Sequence, residues 1–197
     1  MIVAGKLRAA LGCLIAALAI GGTSSAIAFG IDELAQGFAR VATSQATFVE
    51  TKYVSTLNAP LTRRGTLAFV RPDRLEMRVE APYPETIEID GDVLTMQTTR
   101  GRSQARLSSQ PLLAAWVESL RATLAGDAAS LSMHFTVALT GSARRWTLEL
   151  APLDPALRSI VRSIEISGES AQIARYEIDE VHGDRTVVVV TPVAASR

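Results

Sequence analysis

From Ala46 to Val190 the apolar side chains recur at every second position, and the pattern breaks once, at a run with helical spacing from Leu112 to Leu124. A period of two is the signature of strands with one buried and one wet face, whereas positions three and four apart share one side of a helix. The alternating segments are Phe48 to Val54, Leu67/Phe69, Leu75/Met77/Val79, Ile87/Ile89 and Val93 to Gln97. After the helical run come Met133/Phe135/Val137/Leu139, Trp146/Leu148/Leu150, Ile164/Ile166, Ile173/Ile178 and Val187 to Val190. Turn chemistry separates them at Asn58-Ala59-Pro60, Arg71-Pro72-Asp73, Pro82-Tyr83-Pro84 and Asp90-Gly91, the last being the strongest hairpin signal. About ten short antiparallel strands with a helix set between them predict a strongly curved sheet or open barrel, with the helix lying across one side.

Two helices are expected. Ile31, Leu34, Phe38 and Val41 follow Asp32 and Glu33, acids suited to a first turn. The second opens at Ser108-Ser109-Gln110-Pro111 and closes at Gly126, with Leu112, Leu113, Trp116, Leu120 and Leu124 on one face and Ala114, Ala115 and Val117 widening it.

The first 28 residues obey a different logic. Lys6 and Arg8 precede an apolar stretch from Ala9 to Gly22, and Ala26-Ile27-Ala28 gives a small-x-small cleavage signal. A membrane span needs about 20 apolar residues, and this run is shorter and rich in Gly and Ala. The pattern predicts a cleavable signal peptide, residues 1–28, cut after about Ala28, and a periplasmic chain of one domain, residues 29–197. Removing 28 of 197 residues leaves 169, enough for one sizeable core. The only cysteine, Cys13, leaves with the signal, so no disulfide or thiolate metal site is expected. Lys6 and Arg8 leave too, and 18 basic residues remain against 20 acidic ones. Nucleic-acid binding would call for a clustered basic face, so it is not expected. Arg63-Arg64, Arg100/Arg102/Arg106 and Arg144-Arg145 read as solvated strand edges and turns.

Catalytic chemistry is poorly represented. His134 falls on the polar phase of its segment and His182 in the turn Val181-His182-Gly183-Asp184; both read as surface histidines. Glu180, His182 and Asp184 run into a turn and make a poor three-ligand metal site. There is no G-x-S-x-G elbow, P-loop, dinucleotide fingerprint or H-E-x-x-H. No catalytic residue, metal or cofactor is nominated, and the chain is not expected to be an enzyme.

What remains is a large supply of apolar surface on curved strands, which fits either a filled core or a cavity for acyl chains with the helix as its lid. Each buried methylene is worth about 0.8 kcal/mol, so a chain of roughly 16 carbons represents on the order of 12 kcal/mol that a soluble carrier must match.

At Leu67, Phe69, Arg71-Pro72-Asp73, Leu75 and Met77, followed by Pro82 and Asp90-Gly91 with Leu94, the chain resembles the LolA family of periplasmic lipoprotein carriers. The likeness takes in Ala46-Thr47-Phe48-Val49-Glu50, Pro60-Leu61 with Gly65, Trp146 to Pro152 and Gly183-Asp184-Arg185-Thr186, and so covers nearly all of residues 30–191. It implies an incomplete barrel closed by a helical lid over an apolar cavity, carrying the acyl chains of a lipidated passenger between inner and outer membrane. Implied partners are an acylated lipoprotein or lipid cargo, an inner-membrane donor and an outer-membrane acceptor. Membrane contact would be transient and the carrier a monomer. In that family an arginine before the proline ties the lid shut through lid backbone, and the matching residue is Arg71. The implied lining is Phe48, Leu67, Phe69, Leu75, Met77, Ile87, Ile89 and Met96, with Phe135, Val137, Trp146 and Leu148 as further candidates, beneath a lid of Leu112, Leu113, Trp116, Leu120 and Leu124. Met77 stands where the family usually has an aromatic residue, and the chain ends at Arg197 where the best-known carriers continue into a further strand and loop. The resemblance thus extends to a shorter LolA-related carrier of another acylated or glycolipid product, and to a lipid-sensing regulatory module with a protein partner.

Overall fold

A computed structural model describes residues 29–193; the expected signal peptide, residues 1–28, lies outside the described residues. The chain opens with α1 (Ile31–Ala39) and runs through six strands: β1 (Thr43–Tyr53), β2 (Leu61–Val70), β3 (Arg74–Ala81), β4 (Glu85–Asp90), β5 (Val93–Thr98) and β6 (Gly101–Arg106). A 3-10 turn at Leu107–Ser109 leads into α2 (Pro111–Ala125) and α3 (Ala128–His134). Then come β7 (Phe135–Ser142), β8 (Arg145–Pro152), α4 (Pro155–Arg158), β9 (Val161–Glu169), β10 (Gln172–Glu180) and β11 (Arg185–Pro192). All eleven strands form one antiparallel sheet in the order β6-β5-β4-β3-β2-β1-β11-β10-β9-β8-β7. Its two edges, β6 and β7, are not paired to each other, so the barrel stays open, and α2 and α3 bridge the sequence between them.

The fold is the mainly β, open-barrel architecture expected, with corrections in detail. There are four helices among the described residues, not two. Helix α3 begins at Asp127, whose side chain accepts from the Ser130 amide at 2.9 Å, and α4 begins at Asp154, which accepts from the Leu157 amide at 2.8 Å with Pro155 in the first turn. Such caps satisfy otherwise orphaned amides and stabilise even short helices. Met133 and His134, expected in a strand, belong to α3, and Met133 is exposed; the strand starts at Phe135. Strand β6 has every residue exposed and therefore no alternation to betray it.

Curvature has local causes. At Gly65 β2 and β3 shift register, and a Cβ there would lie 1.8 Å from the Arg78 carbonyl oxygen, so only glycine permits the approach. A second irregularity between Ile173 and Arg175 explains why Ile173 and Ile178, of opposite parity, are both buried. Helix α2 ends on Gly126 at φ +67°, where the Asp127 amide reaches back to the Ala122 carbonyl at 2.8 Å.

Candidate functional site

The concave face of the sheet encloses a cavity of about 810 Å³ at one end of the strands. That end collects the start of β1, the end of β2, the start of β3, the end of β4, the start of β10 and the end of β11, with α2 as the facing wall. Alternation supplies the surface: Phe69, Leu75, Met77, Ile87 and Ile89 are the buried phase of three neighbouring strands, set side by side by pairs such as Leu75↔Ile89 and Met77↔Ile87. Leu67 pairs with Met77 and is half-buried in the same wall. From α2, Trp116, Leu120 and Leu124 complete the enclosure, one turn apart along the helix.

Arg71 sits in the β2–β3 turn beside this cavity. Its Nε donates to the Val41 carbonyl at 2.7 Å, and Nη2 donates to the carbonyls of Phe38 at 2.9 Å, Ala125 at 3.2 Å and Leu124 at 3.4 Å. Phe38 closes α1 and Leu124-Ala125 closes α2, so one guanidinium serves the orphan carbonyls of two helix ends. A cation there also meets the negative ends of both helix dipoles.

Helix α2 is fastened along its length as well. Ser119 is fully buried and its Oγ lies 2.6 Å from the Tyr176 hydroxyl, while the rings of Trp116 and Tyr176 meet edge to face at 6.0 Å. Burial drives the Tyr176 phenol well above its ordinary pKa, with the Ser119 bond opposing in part. Arg121, also buried, donates from Nη1 to the Gly91 carbonyl at 2.9 Å. Asp92, next in that hairpin, accepts from the Ser108 amide at 2.9 Å just ahead of α2. The helix is thereby held to the β2–β3 turn, the β4–β5 hairpin and β10.

Of the residues expected to line the cavity, Phe48, Met96, Phe135, Val137, Trp146 and Leu148 do not. Phe48 is buried one inward position beyond Ala46, which does line it. Trp146 and Leu148, with Phe135, belong to the packed core under β7 and β8, where Phe38 meets Trp146 edge to face at 5.7 Å and the Trp146 indole donates to the Ser170 carbonyl at 2.8 Å. Met96 and Val137 are half-buried against that continuous core. Leu112 and Leu113, in the first turn of α2, also lie off the cavity. Conversely, Val41, Thr43 to Ala46, Ala171 to Ile173, Val190, Pro192 and Val193 line it without having been expected. Their signal was weak because strand ends and connecting residues carry little alternation.

The charged and polar clusters elsewhere have ordinary partners. Glu50 is buried on the inner face of β1 and accepts from Arg63 Nε at 2.7 Å and Nη2 at 2.9 Å, its cross-strand neighbour, which also donates to Glu85 at 3.2 Å. Asp184 accepts from the Ser55 amide at 2.8 Å, and that bond holds its carboxyl below the usual range. Glu180 pairs with Lys52 at 3.4 Å. Among the described residues no cluster of His, Cys, Asp and Glu could hold a metal ion, and no helix is long and apolar enough to cross a membrane.

The site is thus an apolar cavity inside an open antiparallel sheet, faced by one helix. Residues 23–196 match the family described as outer membrane lipoprotein carrier protein LolA-like, and the chain belongs to it. Among solved structures it is similar to a putative outer membrane lipoprotein-sorting protein domain from Vibrio parahaemolyticus, with 11% identity, TM-score 0.46, and coverage of 85% of this chain and 92% of that one. A LolA superfamily protein from Nitrosomonas europaea gives 11% identity, TM-score 0.42, and coverage of 82% and 90%. The MucA/MucB complex of Pseudomonas aeruginosa gives 14%, 0.44, and 83% and 56%. These TM-scores lie below 0.5, and the family assignment rests on the family match. No curated protein matches the chain.

Proposed function

We propose that this protein is a soluble periplasmic carrier, not an enzyme, that encloses the acyl part of a lipidated passenger beneath α2 and moves it from an inner-membrane donor to an outer-membrane acceptor. The observation that carries the reading is the cavity itself: about 810 Å³, walled by apolar side chains from three adjacent strands and from α2. Apolar enclosure offsets the cost of drawing an acyl chain through water, which is what distinguishes a carrier from a membrane-bound protein. In this scheme Arg71 is the catch. Its four carbonyl contacts hold the C-terminal ends of α1 and α2 to the β2–β3 turn, so loading and release would exchange those bonds for others.

The test is native mass spectrometry of the protein extracted from its own periplasm, followed by a reconstituted transfer assay. Co-purifying acylated material is expected, and Arg71→Leu is expected to load cargo but deliver it at least about tenfold more slowly, a difference of about 1.4 kcal/mol in the release barrier. An empty chain from the periplasm would overturn carriage. Normal delivery by the variant would remove Arg71 from the mechanism.

A further inference from the structure

The two free edges of the sheet are built differently. Strand β6 carries Arg102 and Arg106, with Arg100 in the turn before it, and all of its residues are exposed. Charge, proline and bulges are the devices that keep an open edge from pairing with another chain. Strand β7 has none of them. From Phe135 to Ser142 it contains no charged residue and no proline, and its register with β8 is unbroken from Phe135↔Pro152 to Ser142↔Arg145.

The hairpin fixes which backbone groups of β7 are free. Ser142 pairs with Arg145 across the turn Ala143-Arg144, and the Leu153 amide donates to the His134 carbonyl at 3.0 Å. Hydrogen-bonded pairs of an antiparallel ladder recur at every second residue, so the even-numbered residues of β7 bond to β8. Val137, Leu139 and Gly141 therefore direct their N–H and C=O groups to the open edge. Phe135 adds its carbonyl, its amide being held by the Leu131 carbonyl of α3. No turn, loop or cap bond reaches the amides of Val137, Leu139 or Gly141 among the described residues.

The strand is complementary to itself. In antiparallel pairing with β7 of a second copy, centred on Ala138, Val137 of each copy faces Leu139 of the other and exchanges both bonds with it. The Gly141 amide then meets the Phe135 carbonyl. On the exposed face Thr136 lies opposite Thr140, a favourable cross-strand pair, and Ala138 lies opposite itself. On the inner face Val137 and Leu139, half-buried at the edge, cover one another. No like charges meet. The same operation on β6, centred on Gln104, sets Arg102 opposite Arg106 twice, which is destabilising. Joining β6 to β7 is head-to-tail and does not close on itself in a two-fold pair.

We infer that β7 is a homodimerisation edge, at which two copies join into one continuous sheet. This departs from the monomer that the family resemblance implies. No residue of β7 lines the cavity, so the joint and the cavity are separate surfaces. Protein purified from the periplasm is examined by sedimentation velocity over micromolar concentrations, where a reversible dimer is expected. Ala138→Lys, at an exposed position, sets two like charges face to face on the two-fold axis. It is expected to weaken the dimer at least about tenfold with far-UV circular dichroism unchanged, and mixing it with Ala138→Glu is expected to restore association. Ala138→Cys is expected to give a disulfide-linked dimer on mild oxidation, because facing residues of a non-hydrogen-bonded pair lie about 4.5 Å apart. The chain's one cysteine, Cys13, lies in the expected signal peptide, so it does not compete. Gln104→Cys on β6 is expected to stay unlinked. A monomer at every concentration overturns the inference, as does a dimer that Ala138→Lys leaves intact. Cross-linking through Gln104→Cys in preference to Ala138→Cys would move the joint to the other edge, and failure of the Lys and Glu variants to associate would overturn the register centred on Ala138.

Discussion

The two halves of the sheet's inner face are written in the same alternation, yet one is filled and the other is hollow. Beneath β8 and β9, Trp146, Leu148, Leu150, Ile164 and Ile166 are at most 1% exposed. Beneath β2, β3 and β4, Leu67, Leu75, Met77 and Ile87 face open space. Hydrophobicity does not separate them, since both walls are aliphatic and aromatic. What differs is the element standing opposite. Helix α1 brings Leu34 and Phe38 onto the filled half and α3 adds Leu131, all three buried, whereas the hollow half is faced by Trp116, Leu120 and Leu124 of α2. The packed half holds the sheet's shape without help from the hollow one. The Trp116–Tyr176 contact joins the two.

The largest test of this contrast is a matched pair of truncations. Trp146→Ala should destabilise by about 3–5 kcal/mol in urea unfolding, since it empties a close-packed site and deletes the indole bond to Ser170. Met77→Ala should cost less, about 2 kcal/mol, because Met77 lines the cavity, where its neighbours already leave space on one side. Equal losses would erase the distinction between the halves.

A smaller effect is expected at the seam. The folded Tyr176 phenol holds its proton to higher pH than the unfolded one, chiefly through burial, so its contribution is complete below about pH 10 and is lost as pH rises beyond it. Tyr176→Phe should cost about 1 kcal/mol at pH 7 and flatten that alkaline limb. An unaltered slope of stability against pH between 9 and 11 would show that Tyr176 ionises freely, and that the seam is wet.

The smallest effect on stability, and a large one on uptake, is expected from filling the hollow half. Leu67→Trp points into existing space from a half-buried position, so the unfolding midpoint should shift by less than about 1 kcal/mol equivalent while acyl binding falls at least about tenfold. A large loss of stability instead would mean that the space is smaller or more rigid than the cavity described. Retained binding would place the acyl chain elsewhere.

Legibility in the sequence followed the range of the interactions involved. Strand phase is local, so the inward residues of β2, β3 and β4 could be read from spacing, as could the helical run from Leu112 to Leu124. Caps are local too, and the Asp154-Pro155 start of α4 was present in the chain but hidden by its four-residue length. Strand β6 was masked because none of its residues is buried. Its Arg102 and Arg106, with Arg100 in the turn before it, suit a free edge that must not pair with another chain. The misplaced lining residues share one cause: spacing shows that Phe135, Trp146 and Leu148 point inward, but not what they meet there.

The sequence by itself determined which side chains face in and which face out, where the turns fall, and that one helix must lie across a curved sheet. Only the tertiary structure decided where the inside is occupied. Inward orientation is a property of one strand, whereas a cavity depends on the distance between two walls. That distance is set by residues far apart in the chain, by the Gly65 and Ile173–Arg175 irregularities that bend the sheet, and by the bonds from Arg71 and Tyr176 that position α2.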